Sequence, residues 1–230
     1  MSKRNSIISL VAVALLILSG CGSEKASQTN KEKESEKEVV IKSKPVIMFF
    51  GNSITAGYGL DMDQAFPALI QKKLDSLGYN YQVVNAGLSG ETTAAGINRI
   101  DWVLRTVPEI FVLELGANDG LRGLKLTETK KNLQSIVDRV KEINPETKIL
   151  LTGMEVPPNL GDNYATEFRS LFAELAQEND IAFLRFILDG VAGNPSLNLA
   201  DGIHPTPEGH LIVAESVWAA LKPLLPKPSS

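Results

Sequence analysis

The 230 residues include one cysteine and two histidines. With Cys21 alone, the chain can close no internal disulfide. His204 and His210, six positions apart, match no usual metal-ligand spacing even when that cysteine is added, so no metal site is expected. Basic charge is not in excess either. The 23 Lys and Arg stand against 27 Asp and Glu, a net charge of −4, and the cations are scattered along helical segments. This excludes an electrostatic nucleic-acid surface. Also missing is an apolar run of the roughly 20 residues that a membrane-spanning helix needs; the largely apolar stretch 7–18 falls short. What remains is ordinary globular composition, 43% hydrophobic and 22% charged, with length enough for one domain and a sizeable core.

The beginning of the chain differs from the rest. Lys3 and Arg4 precede the stretch 7–18, which runs into Ser19-Gly20-Cys21, the pattern of a signal peptide. Leu18-Ser19-Gly20-Cys21 also resembles the lipobox of bacterial lipoproteins, in which the signal is cut before the cysteine and the cysteine is lipidated. The expected organisation is a lipoprotein signal peptide over 1–20, a lipidated Cys21 heading a charged tether over 21–44, and a folded domain over 45–230. Residues 22–44 carry too few apolar side chains to offset the entropy of ordering. As a flexible coil the tether would reach about 25 Å. The expected location is therefore extracytoplasmic, periplasmic or surface, with the membrane as partner through Cys21.

From residue 45 onward, short β-rich runs over 46–50, 81–85, 109–115, 148–152 and 181–184 alternate with segments of helical period over 66–77, 92–104, 127–143, 164–179 and 207–221. This alternation predicts an α/β fold, a five-stranded parallel sheet covered by helices on both faces. In such sheets ligands bind beyond the carboxyl ends of the strands, near the point where strand order reverses. Function is therefore sought in the loops 51–57, 86–92 and 116–120, and in the turn before the last helix.

The first of these loops, Gly51-Asn52-Ser53-Ile54-Thr55, sets a serine where a buried strand emerges. Serine after a strand is commonly a helix cap or turn residue, and its hydroxyl is a poor nucleophile without a base. The turn Asp201-Gly202-Ile203-His204-Pro205 offers one: a neutral imidazole can accept and return the proton, and a carboxylate three residues before it can fix its tautomer. Ser53, His204 and Asp201 are thus the candidate nucleophile, base and orienter of acyl transfer. His210, in the first turns of the last helix, is read as structural or solvent-facing. A tetrahedral intermediate also needs donors for its oxyanion, and the Gly90 amide and Asn118 side chain are candidates. Asp119 is read as a turn or cap residue. Glu114 and Glu155 could be mistaken for a glycosidase pair, but Glu114 is expected to pair with Arg99. Trp102 and Trp218, on helices with apolar neighbours, are expected to pack in the core. The segment 154–163, stiffened by Pro157-Pro158, is expected to build a pocket wall.

Together, Gly51-Asn52-Ser53, Gly90, Gly116-Ala117-Asn118-Asp119 and Asp201-Gly202-Ile203-His204 resemble the four sequence blocks of the SGNH hydrolases, the GDSL esterase/lipase family. The resemblance spans nearly all of 45–225. It is closest to the thioesterase I/lysophospholipase L1 and arylesterase branch, through Asn85-Ala86-Gly87-Leu88-Ser89-Gly90-Glu91-Thr92-Thr93 and 113–123. It implies a flavodoxin-like three-layer α/β/α sandwich, with Ser53 as nucleophile, His204 as base and acid, Asp201 as orienting carboxylate, and an oxyanion hole of Ser53, Gly90 and Asn118. It further implies a small acyl-ester substrate and no metal or cofactor. One position departs: the family usually has Asp where this chain has Asn52. An α/β-hydrolase fits less well, because its nucleophile elbow needs Gly-x-Ser-x-Gly and Thr55 stands in the last position. Two alternatives remain: a carbohydrate acetylesterase of the same fold, and a lipoprotein that binds lipid or glycan without turnover.

Overall fold

The computed structural model of the protein describes residues 44–226. The expected signal segment, Cys21 and the tether up to residue 43 lie outside the described residues.

The five apolar runs form β1 (Val46–Gly51), β2 (Gln82–Gly87), β3 (Ile110–Glu114), β4 (Lys148–Thr152) and β5 (Ala182–Leu184). All pair in parallel, in the order β2-β1-β3-β4-β5. Strand order reverses at β1, so the switch point lies between β1 and β3. Both strands are buried at every position, and their sequences VIMFFG and IFVLE lack polar alternation because both faces are covered.

The helices are α1 (Ser53–Ala56), α2 (Phe66–Ser76), α3 (Thr93–Val103), α4 (Ala117–Leu121), α5 (Leu126–Ile143), α6 (Asp162–Asn179) and α7 (Pro207–Leu221). Five match the helical segments of the sequence. The other two, α1 and α4, lie in segments read as loops and are too short to display a period. On α5 the buried residues Leu133, Ile136, Val137 and Val140 recur at the spacing of one helix face. Helices α3, α5 and α6 pack together, and α2 packs with α7. Right-handed crossovers place these two groups on opposite faces of the sheet, completing the three-layer sandwich.

Trp218 is buried as expected, but Trp102 is 65% exposed. On α3 the buried positions are Thr93, Gly96, Ile100 and Val103, and at about 100° per residue position 102 falls on the opposite side.

His210 is buried and structural. The N-terminus of α2 has no side-chain cap at Ala65, and the backbone N–H of Phe66 donates instead to His210 Nδ1 at 3.1 Å. The imidazole also stacks on the Phe66 ring. Burial, with a smaller contribution from His204, lowers the His210 pKa from its ordinary 6.5 to about 4. As pH falls through this window the unfolded chain takes a proton that the folded one refuses, so stability is lost, by about 3 kcal/mol for 2.5 pKa units. His210→Gln keeps an acceptor but not the titration. In denaturant titrations at pH 7.5 and pH 4, the native chain should lose about 3 kcal/mol more than this variant.

Candidate active site

The first strand ends in a tightly packed turn. Asn52 caps α1, its Oδ1 accepting the Ile54 N–H at 2.9 Å, and Ser53 opens the helix. A Cβ on Gly51 would lie 2.2 Å from Thr55 Oγ1 and 2.5 Å from Glu114 Oε2, so no larger residue fits without displacing that cluster.

Glu114 does not pair with Arg99. Arg99 donates to both carboxylate oxygens of Glu91 and to the Ala86 carbonyl. Glu114, fully buried at the end of β3, instead accepts from the Asn52 amide and Thr55 amide, each at 3.1 Å, and from Asn52 Nδ2 and Thr55 Oγ1, each at 2.7 Å. β3 runs beside β1 and ends under the loop that leaves it, so the loop is nearer to Glu114 than Arg99 is. Burial raises its pKa from 4.5 to about 7, against the lowering effect of those hydrogen bonds.

The second half of the site is the turn before α7. An antiparallel bridge between Asn198 and Pro205 closes it, with the Leu199 amide donating to the His204 carbonyl at 2.7 Å. Gly202, at φ +71, takes the left-handed position that the turn requires. Asp201 Oδ1 accepts from the amides of Ile203 and His204, while Oδ2 meets His204 Nδ1 at 2.7 Å. The backbone and side chain of His204 are the main reasons the Asp201 pKa falls to about 2. With Nδ1–H directed at the carboxylate, Nε2 is left as an acceptor, and Ser53 Oγ lies 2.9 Å from it. Serine, imidazole and carboxylate thus form one hydrogen-bonded chain across 151 positions of sequence. Tyr58 packs its ring 4.5 Å from that of His204.

Asn118 enters from α4, after β3. Its Nδ2 donates to the Glu91 carbonyl at 3.0 Å, which fixes the amide, and its side chain lines the same pocket as Ser53 and His204. Asp119 is buried and holds the start of α3, accepting from the amide and hydroxyl of Thr93, a capping role as expected. Gly90 lies in the turn between β2 and α3, where its carbonyl accepts from Arg122; it is not among the residues lining the pocket.

The pocket measures about 610 Å³. Met154, Val156 and Pro157 form one wall, as expected for the segment 154–163, and Leu121 and Ile203 line it from α4 and the histidine turn. Phe186, Leu188, Ala192 and Asn198 also line it and were missed, because the segment after β5 has no regular period to mark a face. Glu155 lines the pocket too, but Arg185 engages it at 3.2 Å, and Glu114 is fully buried at the end of β3 and does not line the pocket, so the two form no glycosidase pair.

The profile of the GDSL-like Lipase/Acylhydrolase family matches residues 49–212. Esterase TesA of Pseudomonas aeruginosa is 40% identical over 180 residues, covering 78% of this chain and 89% of that protein. Thioesterase 1/protease 1/lysophospholipase L1 of Escherichia coli K12 is 34% identical over 180 residues, covering 78% and 84%. A crystal structure of TesA superposes with a TM-score of 0.75 at 40% identity, covering 78% of this chain and 99% of that one. With three of the four sequence blocks lining one pocket and a family profile matching residues 49–212, the chain belongs to the GDSL-like lipase/acylhydrolase family.

Proposed function

We propose that the protein is a serine esterase that hydrolyses short- to medium-chain acyl esters, thioesters and lysophospholipids included, through an acyl-enzyme on Ser53. The observation that carries this reading is the hydrogen-bonded chain Ser53–His204–Asp201 opening on a pocket of about 610 Å³ with Leu121, Val156, Phe186 and Leu188 in its wall. An apolar pocket of that size suits an acyl chain better than an acetyl group, which would leave most of it unfilled.

In this mechanism Ser53 Oγ attacks the ester carbonyl as His204 Nε2 takes its proton. Asp201 stabilises the imidazolium through Nδ1. The carbonyl oxygen gains charge and is met by the Asn118 side chain and the Ser53 amide. Ser53, as the first residue of α1, has no carbonyl within its own helix for its N–H. Collapse expels the alcohol or thiol, which receives the proton from His204. Water then attacks the acyl-enzyme with His204 again as base, releasing the carboxylic acid and restoring Ser53.

The lipobox at Cys21 supports a further element of the proposal: the enzyme is an exported lipoprotein whose domain works beside a membrane on its charged tether. Cys21→Ser should move the protein from the detergent phase to the aqueous phase of a two-phase extraction; retention in the detergent phase would remove the anchor.

For the chemistry, Ser53→Ala should abolish hydrolysis of p-nitrophenyl esters while leaving the unfolding midpoint in place, and native-like turnover would overturn the assignment. Across a series from acetate to palmitate, rates should peak at intermediate length. A profile confined to acetate would favour a carbohydrate acetylesterase instead. Asn118→Ala should lower kcat by about 10²–10³ if it donates to the oxyanion. An unchanged kcat would assign it to the turn alone.

A further inference from the structure

Glu114 takes no part in the chemistry just described, yet it is fully buried at the base of the loop that carries Ser53. Four donors converge on it. Oε2 accepts from the amides of Asn52 and Thr55 and from Thr55 Oγ1, and Oε1 accepts from Asn52 Nδ2 at 2.7 Å. An ionised carboxylate accepts only, whereas a carboxylic acid must also donate its proton. Of these groups only the Thr55 hydroxyl, on the Oε2 side, could accept a proton in return; Oε1 meets a pure donor, Asn52 Nδ2, so in either protonation state Oε1 is the acceptor of that contact.

The contact at Oε1 also settles which way the Asn52 amide faces. With Nδ2 turned to Glu114, Oδ1 is the atom that caps α1 through the Ile54 amide, 2.9 Å away, and lies 3.4 Å from Ser53 Oγ. Turning the amide over would put Nδ2 against the Ile54 N–H, donor against donor, and beside the serine hydroxyl. The orientation of the loop around Ser53 therefore depends on an acceptor at Oε1.

We propose that Glu114 is a positioning residue for the nucleophile: its carboxylate orients the Asn52 amide, which in turn caps α1 and holds Ser53 in line with His204. The inference rests on the reading of Ser53 as nucleophile. It makes a specific demand on the pair, that one member accept where the other donates, and this polarity can be reversed without changing the pair's charge.

In Glu114→Gln the glutamine can keep its oxygen on the Oε2 side, facing three donors, but its NH₂ then faces Asn52 Nδ2. Asn52 must turn over and the cap is lost. In the double variant Asn52→Asp/Glu114→Gln the NH₂ faces a carboxylate, whose other oxygen remains free to cap α1. The experiment measures kcat and KM of p-nitrophenyl ester hydrolysis for the native chain, Glu114→Gln, the double variant and Ser53→Ala, with unfolding midpoints for each. Glu114→Gln should lose about 10²-fold in kcat, the scale of a misplaced reacting group, with KM little changed. The double variant should recover most of that loss. A native-like kcat in Glu114→Gln, or a double variant no better than the single one, would overturn the proposal. If Glu114→Gln fails to fold, the double variant still decides: folded and active supports the inference, unfolded or inactive overturns it. Native-like turnover by Ser53→Ala would overturn the nucleophile reading and the inference with it. An inactive Ser53→Ala beside a native-like Glu114→Gln would overturn only the role of Glu114.

Discussion

A carboxylate buried at the switch point of the sheet is the interaction on which the site depends. Moving Glu114 out of water is unfavourable by several kcal/mol unless donors replace the lost hydration. Here the donors come from Asn52 and Thr55, across 62 and 59 positions of sequence. Hydrogen bonds to an ionised acceptor are among the strongest available to a protein. They tie the exit of β1 to the exit of β3. Ser53 follows the one and Asn118 the other, so the same bonds set the spacing between the serine hydroxyl and the asparagine side chain. Gly51 makes the approach possible, because any Cβ there would enter the cluster. The family's usual Asp in place of Asn52 would bring two carboxyls together at this distance, and such a pair must share a proton. With Asn52 the contact is complete with Glu114 ionised.

The other half of the site is supported differently. The histidine turn is held by short-range bonds, from the amides of Ile203 and His204 to Asp201 and across the Asn198–Pro205 bridge, and Asp201 and Ile203 stay exposed. A turn specified by its own sequence can stand at the protein surface and still present Nε2 to Ser53. The rigid partner is the one rooted in the sheet. This division suits acyl transfer, which needs a fixed attacking oxygen and a base open to the leaving group and then to water.

Much of this was legible in the sequence, for identifiable reasons. Five apolar runs and five helical periods gave the layers, since each element is long enough to show its repeat. Asp201 and His204 were legible because three residues of turn leave little freedom in how they meet. The local rules failed where the third dimension decides. Helices α1 and α4 are too short for periodicity. The pocket wall from Phe186 to Asn198 has no regular pattern. Glu114 could not be paired correctly by proximity along the chain, because its partners Asn52 and Thr55 lie in the cap and first helix that follow the neighbouring strand, and Arg99 was claimed by Glu91. Trp102 shows the same limit in reverse: apolar neighbours in sequence did not mean an inward position on the helix.

The two strongly perturbed buried groups also bear on how the fold responds to acid, and they act in opposite directions. Glu114 releases its proton at 4.5 when unfolded and near 7 when folded, so its contribution to stability falls as pH rises through that interval. His210 takes a proton at 6.5 when unfolded and only near 4 when folded, so its contribution rises over almost the same interval. Each shift is 2.5 pKa units, about 3 kcal/mol, and between pH 4.5 and 6.5 the two slopes cancel. Asp201 adds nothing there: its lowered pKa gives stability that is present above 3.8 and lost only as pH falls through about 2. The fold can therefore keep a carboxyl group beneath Ser53 and an imidazole under α2, both poorly solvated, without becoming steeply sensitive to mild acid. Removing either group alone would expose the slope of the other, so the two burials, on different elements and with unrelated local purposes, are balanced only when both are present.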